Sequence, residues 1–141
     1  MQEKLGKYPC LVWVIALIPV LFGGLVYLLY RPKNIILFEV LNKLGGSTTV
    51  DIVRSKVEHV HLPDFVVYSS PAGLWTASYL MAMCLCTKQL NKKMRLSLAL
   101  PLPISAVVLE FMQLFGLCPG TFDIYDVVCY VIPIIIFVKL V

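Results

Sequence analysis

The sequence predicts an all-α membrane protein with four transmembrane helices and a short helical extracytoplasmic segment between the first two. Three observations predict this class. Apolar residues make up 60% of the 141 residues and charged residues only 14%, whereas soluble domains have about 45–50% and about 25%. The mean hydropathy is +0.87. The apolar residues lie in long runs, and a soluble chain of this length could not bury so much apolar surface.

Four apolar runs predict four spans within a single domain, residues 1–141. The first run carries no charged residue and would be about 30 Å long as a helix, which matches the hydrocarbon core of a bilayer. Its end offers no small-residue cleavage site, so we expect an uncleaved helix rather than a signal peptide. The predicted spans are residues 10–30, 65–87, 96–117 and 124–141.

The segment between the first two spans, residues 31–64, is too long for a simple turn and is predicted to contain two short helices. The residues before Gly45 mix apolar and polar side chains at helical spacing, which is typical of a helix at the membrane surface. Gly45 is expected to end that helix. Thr48 and Asp51 have the spacing of a capping box, which predicts the start of a second helix. That helix should stop before Pro63.

Arg54 and two histidines are the candidate ligands in this segment. Arg54 and Glu58 are four residues apart and could pair along one helix face; alternatively, Arg54 could bind a phosphate or a lipid headgroup. His59 and His61 are two residues apart, so they do not share a helix face and do not by themselves predict a metal site.

The basic residues predict the orientation of the chain. Four of them lie in residues 88–95, and Lys4, Lys7 and Lys139 lie near the two ends. Residues 118–123 contain none. The positive-inside rule therefore places both termini and the second connection in the cytoplasm. The basic residues of the first connection count against this orientation.

The five cysteines, Cys10, Cys84, Cys86, Cys118 and Cys129, lie inside or at the edge of apolar runs. No Cys-x-x-Cys pair occurs among them, so we expect buried structural thiols. Cys118, at a helix end, is the one candidate nucleophile among them. No cofactor and no nucleic-acid partner are predicted.

Glu110 is the most informative residue, because it lies within an apolar run of the third span. A carboxylate there is costly, by roughly 2.5–3.5 kcal/mol near the bilayer centre, so it should face the bundle or a wet cavity. Gln113 is three residues further on and shares that helix face. The pair could join helices by hydrogen bonds or could form a functional site.

Two aspartates follow the turn predicted at Pro119-Gly120, where the third and fourth spans should form an antiparallel hairpin. Asp123 is the expected N-cap of the last helix, and Asp126 lies three residues later. The hairpin returns Asp126 toward Glu110, so three acids should meet. Arg31, Arg54 or a metal ion could compensate their charge.

The motif Glu110-x-x-Gln113, followed by Gly120-Thr121-Phe122-Asp123 and then Asp126, resembles the signature of the VanZ-like family of small bacterial membrane proteins. The match lies mainly in the C-terminal quarter of the chain. The resemblance implies a multi-pass protein of the bacterial cytoplasmic (inner) membrane and a link to resistance against glycopeptides of the teicoplanin type.

Together these features predict a cell-envelope protein with an outward-facing polar pocket, made of Glu110, Gln113, Asp123 and Asp126 and covered by the segment that carries Arg54. Its expected partners are membrane lipids, a lipid-linked cell-wall precursor headgroup or a membrane protein. Small residues in the first two spans would also permit a homodimer.

Two other functions remain open at this stage. The acids could hold a metal ion in an intramembrane hydrolase or transferase that acts on a lipid-linked substrate, with its catalytic residues unassigned. An ion or proton carrier that uses Glu110 is the weakest alternative, because four short helices leave little room for a path.

Overall fold

A computed structural model of the chain describes residues 9–33 and 36–141, and the described part is all-helical, as predicted. Helix accounts for 77%, and no strand occurs in this part of the chain. The described helices are α1 (Pro9–Tyr30), α2 (Ile36–Lys43), α3 (Ser47–Val57), α4 (Asp64–Tyr68), α5 (Ser70–Cys86), α6 (Lys92–Ala99), α7 (Pro101–Leu114) and α8 (Ile124–Leu140). Lys4 and Lys7, used above for the orientation, lie outside the described residues.

Each predicted span coincides with helix, but two of them are interrupted. The second predicted span is α4 followed by α5, and the third is α6 followed by α7. Pro101 begins α7, and α6 and α7 meet at 43°. A proline lacks the N–H that would continue the backbone hydrogen-bond ladder, which accounts for the bend at this point.

The third predicted span ends earlier than expected, at Leu114 rather than at residue 117. Gly116 adopts a φ of 68°, and its N–H donates to the carbonyl of Gln113 at 3.0 Å. The N–H of Leu117 donates to the carbonyl of Met112 at 2.8 Å. This left-handed glycine cap satisfies the last carbonyls and stops the helix.

One described helix is long and apolar enough to cross a membrane on its own. It is α1, whose stretch Trp13–Tyr30 has a mean hydropathy of 2.2. The bent pair of α6 and α7 gives a second candidate if it is counted as one span. The helices α5 and α8 each have 17 residues.

The helix α5 lies at the centre and packs against α1, α6 and α8. It runs antiparallel to α1, because the Ser78 hydroxyl donates to the carbonyl of Ala16 while Trp75 lies against Gly23 nearer the other end. It runs parallel to α8, with Gly73 against Cys129. The C-terminal end of α1 and the N-terminal ends of α5 and α8 therefore meet at one end of the bundle, which we call the Arg31 end.

A small apolar core closes the opposite end. Leu80 of α5, Ala99 of α6 and Phe137 of α8 are each at most 3% exposed and form one cluster. Arg95 reaches from α6 to α5, where its Nη2 donates to the carbonyl of Cys84 at 3.3 Å and lies 3.1 Å from that residue's Sγ. This end is therefore packed by side chains, whereas the Arg31 end contains open space.

The connection between α1 and α4 contains the two predicted helices, but its details differ from the prediction. Gly45, with a φ of 73°, ends α2 as expected. The predicted capping box is wrong, since Gly46 occupies the N-cap of α3 and no side chain caps this helix. Asp51 instead accepts a salt bridge from Lys33 Nζ at 2.6 Å. The second helix ends at Val57, before Pro63.

Candidate functional site

A cavity of about 300 Å³ lies at the Arg31 end, between α1, α5 and α8. We call it the Arg31 cavity. Four aromatic rings, one cation, one carboxylate and three smaller side chains line it: Tyr27, Arg31, Tyr68, Pro71, Ala72, Trp75, Thr76, Asp126 and Tyr130. Its size is at the lower end of the range for ligand pockets, about 300–1,000 Å³.

Arg31 follows α1 directly and is held in place by two tyrosines. Its Nη2 donates to the carbonyl of Tyr68 at 2.9 Å. Its guanidinium lies 5.1 Å from the ring centroid of Tyr27 and 4.7 Å from that of Tyr68, within cation–π range. The buried Nε has no hydrogen-bond partner. The guanidinium is therefore oriented by its surroundings but retains an unused donor.

Asp126 lies in the first turn of α8 and provides the carboxylate of the cavity. Asp123 is the N-cap, as predicted, and its Oδ1 accepts from the N–H of Tyr125 at 2.8 Å. Asp126 is thus not needed as the cap. Its Oδ1 is buried and has no hydrogen-bond partner. No ion pair joins it to Arg31 within residues 9–33 and 36–141, although both residues line the same cavity.

Glu110 lies behind Asp126, away from the lining of the cavity. Its side chain is 7% exposed, and its Oε2 is buried without a hydrogen-bond partner. It is close enough to Asp126 and Asp123 for their charges to interact. The structure thus brings the three acids together. Two neighbouring carboxylates in apolar surroundings repel each other unless a proton or a cation lies between them.

Gln113 faces the connection between α7 and α8 rather than the Arg31 cavity. The space beside the Cα of Gly120 is filled by the amide of Gln113, whose atoms lie 2.8–2.9 Å from where a Cβ would stand. Gly120 has a φ of 133°, which favours glycine. Gln113 therefore packs against the turn that brings α8 back along α7.

Arg54 lies in a separate groove of about 560 Å³, which is also lined by Lys33, Asp51 and His61. Its Nη1 donates to the carbonyl of Leu28 at 2.7 Å, and its guanidinium lies 5.3 Å from the ring centroid of Phe38. The expected ion pair with Glu58 is not formed in the part of the chain that the structure describes. Arg54 thus joins α2 and α3 to the end of α1.

The histidines and cysteines were the other candidate ligands. Among the described residues, no group of three His, Cys, Asp or Glu side chains could hold a metal ion. The ring Nδ1 of His61 lies 3.2 Å from the carbonyl of His59. The expectation of buried thiols is wrong for Cys86, which is exposed, while Cys84, Cys118 and Cys129 are partly buried. The side chain of Cys10 lies outside the described residues.

From the sequence, Arg31 was one of three candidates, with Arg54 and a metal ion, that could compensate the negative charge of the three acids. The aromatic lining of the cavity was not predicted. Tyr27 and Arg31 are four residues apart on one helix face, which is a local signal. Tyr68, Trp75 and Tyr130 join them only through the packing of α5 and α8, which no local pattern predicts.

The fold and the cavity define a class: an all-helical protein with one or two candidate membrane-spanning helices and a mixed-charge aromatic cavity at one end. Comparison of the chain with protein-family models, with curated proteins and with solved structures found no match.

Proposed function

We propose that the chain is a four-span integral membrane protein of the bacterial inner membrane that binds a phospholipid headgroup in the Arg31 cavity. Both termini are cytoplasmic, and the cavity lies at the outer surface. The observation that carries this proposal is that two of the described residues, the cation Arg31 and the carboxylate Asp126, line one cavity without forming an ion pair.

The surface of α1 supports a membrane location. Only 17% of the stretch Trp13–Tyr30 is buried, whereas the core helix of a soluble protein would be mostly buried. Large apolar side chains such as Ile18, Leu21 and Phe22 are more than half exposed. In water this contiguous apolar stripe would be unfavourable, and in a bilayer it would face acyl chains.

The contacts of α1 also favour a permanent helix over a cleaved leader. The carbonyls of Ala16 and Leu28 accept hydrogen bonds from Ser78 and Arg54, respectively. Removal of α1 would leave both donors without these partners and would open the Arg31 cavity on one side. The helix is thus part of the packed structure.

The remaining three spans are short. A transmembrane helix needs about 17–25 residues, and α5 and α8, with 17 residues each, are at the lower limit. The helix α4 extends the second span, and the bent pair α6 and α7 provides the third. The tyrosines and Trp75 at the Arg31 end have the amphipathic rings typical of the membrane–water interface.

A cell-wall precursor is a second ligand of the same chemistry, because lipid-linked precursors also carry phosphate near the membrane surface. The resemblance to the VanZ-like family motivates this extension, together with its link to glycopeptide resistance. Arg31 would provide the same contact in both cases, since a guanidinium fork matches phosphate oxygens.

Replacement of Arg31 by alanine tests this function. We expect a purified Trp13→Phe protein in detergent to bind dihexanoyl phosphatidylethanolamine with a change in Trp75 fluorescence, because the chain has two tryptophans and Trp75 lines the cavity. Loss of a charged hydrogen bond worth about 1.5–3 kcal/mol should weaken binding by about tenfold or more.

Lys33→Ala provides the matched control, since Lys33 is an exposed cation two residues away that pairs with Asp51 outside the cavity. This variant should bind like the parent protein. Equal affinity of the Arg31→Ala and Lys33→Ala proteins, with both folded by circular dichroism, would contradict the proposed function.

A further inference from the structure

Among the described residues, two oppositely charged side chains line the Arg31 cavity but form no ion pair with each other. Its two charged lining residues are Arg31 and Asp126, and each keeps a buried polar atom without a hydrogen-bond partner. In the larger groove, by contrast, the cation Lys33 and the carboxylate of Asp51 form a salt bridge. The smaller cavity therefore has a cation and a carboxylate on its lining that are not joined to each other.

The Arg31 side of the cavity suits a phosphate. The guanidinium is held by the rings of Tyr27 and Tyr68 and by its bond to the Tyr68 carbonyl, so little side-chain freedom remains to be lost on binding. A planar guanidinium can donate two parallel hydrogen bonds to phosphate oxygens.

The Asp126 side of the cavity suits a primary ammonium group. Asp126 provides the carboxylate on the lining of the cavity, and Glu110 adds a second carboxylate near enough for the two charges to interact. A primary ammonium has three N–H donors, whereas a quaternary ammonium has none. A ligand with only negative charge would be repelled by both carboxylates and would leave their oxygens unsatisfied.

We propose, on the basis of the proposed function above, that the Arg31 cavity is specific for an aminoalkyl phosphate headgroup of the phosphatidylethanolamine type. The phosphate binds Arg31, the ammonium binds Asp126, and the rings of Trp75 and Tyr130 pack against the carbons between them. Free phosphoethanolamine has the same chemistry, so both sources are tested.

The test is a fluorescence titration of the Trp13→Phe protein with dihexanoyl phosphatidylethanolamine, phosphatidylcholine and phosphatidylglycerol, and with O-phosphoethanolamine. We expect the ethanolamine lipid to bind about tenfold more tightly than the other two lipids, because one additional charge-assisted hydrogen bond accounts for a difference of this size. If O-phosphoethanolamine binds more weakly than the ethanolamine lipid, the natural ligand is a membrane lipid. If the two bind equally, the headgroup alone is sufficient as ligand. Both results support the proposal.

Asp126→Asn should abolish the preference for ethanolamine, and Asp123→Asn is its matched control. The control removes the same charge from the same helix three residues earlier, and asparagine retains the N-cap. The Asp123→Asn protein should therefore keep its preference for the ethanolamine lipid.

Two results would overturn the proposal. Equal affinity for all three lipids would reject the headgroup assignment while the proposed function stands. An unchanged preference in the Asp126→Asn protein would do the same. If no phospholipid bound at all, the proposed function itself would fail.

Discussion

Replacement of Gly73 by leucine is expected to separate α5 from α8 and to destabilise the protein by about 3 kcal/mol, the upper end of the usual range for overpacking. A Cβ at this position would lie 2.9 Å from Cys129 Cβ and 3.0 Å from the Cys129 carbonyl oxygen. Backbone atoms cannot rotate away, so the whole helix must move. Small residues at such crossings allow membrane helices to approach closely.

Gly24→Leu is the matched control for this variant. No atom lies within 4 Å of a Cβ at Gly24, so the same substitution there meets open space. Unfolding by sodium dodecyl sulfate, followed by circular dichroism, should show a lower midpoint for Gly73→Leu and no loss for Gly24→Leu. Equal midpoints would show that the close packing of α5 on α8 is not required.

Replacement of Glu110 by methionine is expected to raise stability and weaken headgroup binding. Methionine fills a similar volume without charge, and it removes a buried carboxylate oxygen that has no partner. Burial of an unpaired polar group costs about 1–3 kcal/mol, so a gain of this order is expected. Binding of the ethanolamine lipid should also weaken, but less than in the Asp126→Asn protein, because Glu110 acts on the ammonium only through its charge.

The Glu110→Met variant distinguishes the two roles that the sequence left open for Glu110, namely hydrogen bonding between helices and participation in a functional site. If the carboxylate served only to join helices, Glu110→Met would lower the unfolding midpoint and leave lipid affinity unchanged, which would contradict the functional role. Glu110→Gln is the control, because it keeps the size and polarity of the side chain and removes only the charge.

Much of the fold could be predicted from the sequence because its signals are local. The apolar runs, the helix-ending Gly45 and the N-cap Asp123 each depend on residues that are near in sequence. The capping box at Thr48 and Asp51 failed because the helix begins at Ser47 with Gly46 as its N-cap, so Thr48 lies inside the first turn. The carboxylate of Asp51 instead binds Lys33, a contact that a local pattern does not show.

The candidate site was predicted only in part. The return of Asp126 toward Glu110 followed from the tight turn between α7 and α8, and the structure brings the two together. The partner across the cavity could not be chosen between Arg31 and Arg54, since both precede α5 by long stretches of chain. Packing decides, because Arg31 lines the same cavity as Asp126, whereas Arg54 lines the separate groove and donates to the carbonyl of Leu28.

The most direct test of the central claim, a four-span protein with its cavity at the outer surface, is cysteine labelling with a membrane-impermeant maleimide. Single cysteines would replace the exposed residues Lys56, Gln89 and Thr121 in a cysteine-free protein expressed in bacteria. We predict labelling of Lys56→Cys and Thr121→Cys in spheroplasts, and labelling of Gln89→Cys only after permeabilisation. Labelling of all three sites before permeabilisation, or of Gln89→Cys alone, would contradict the account.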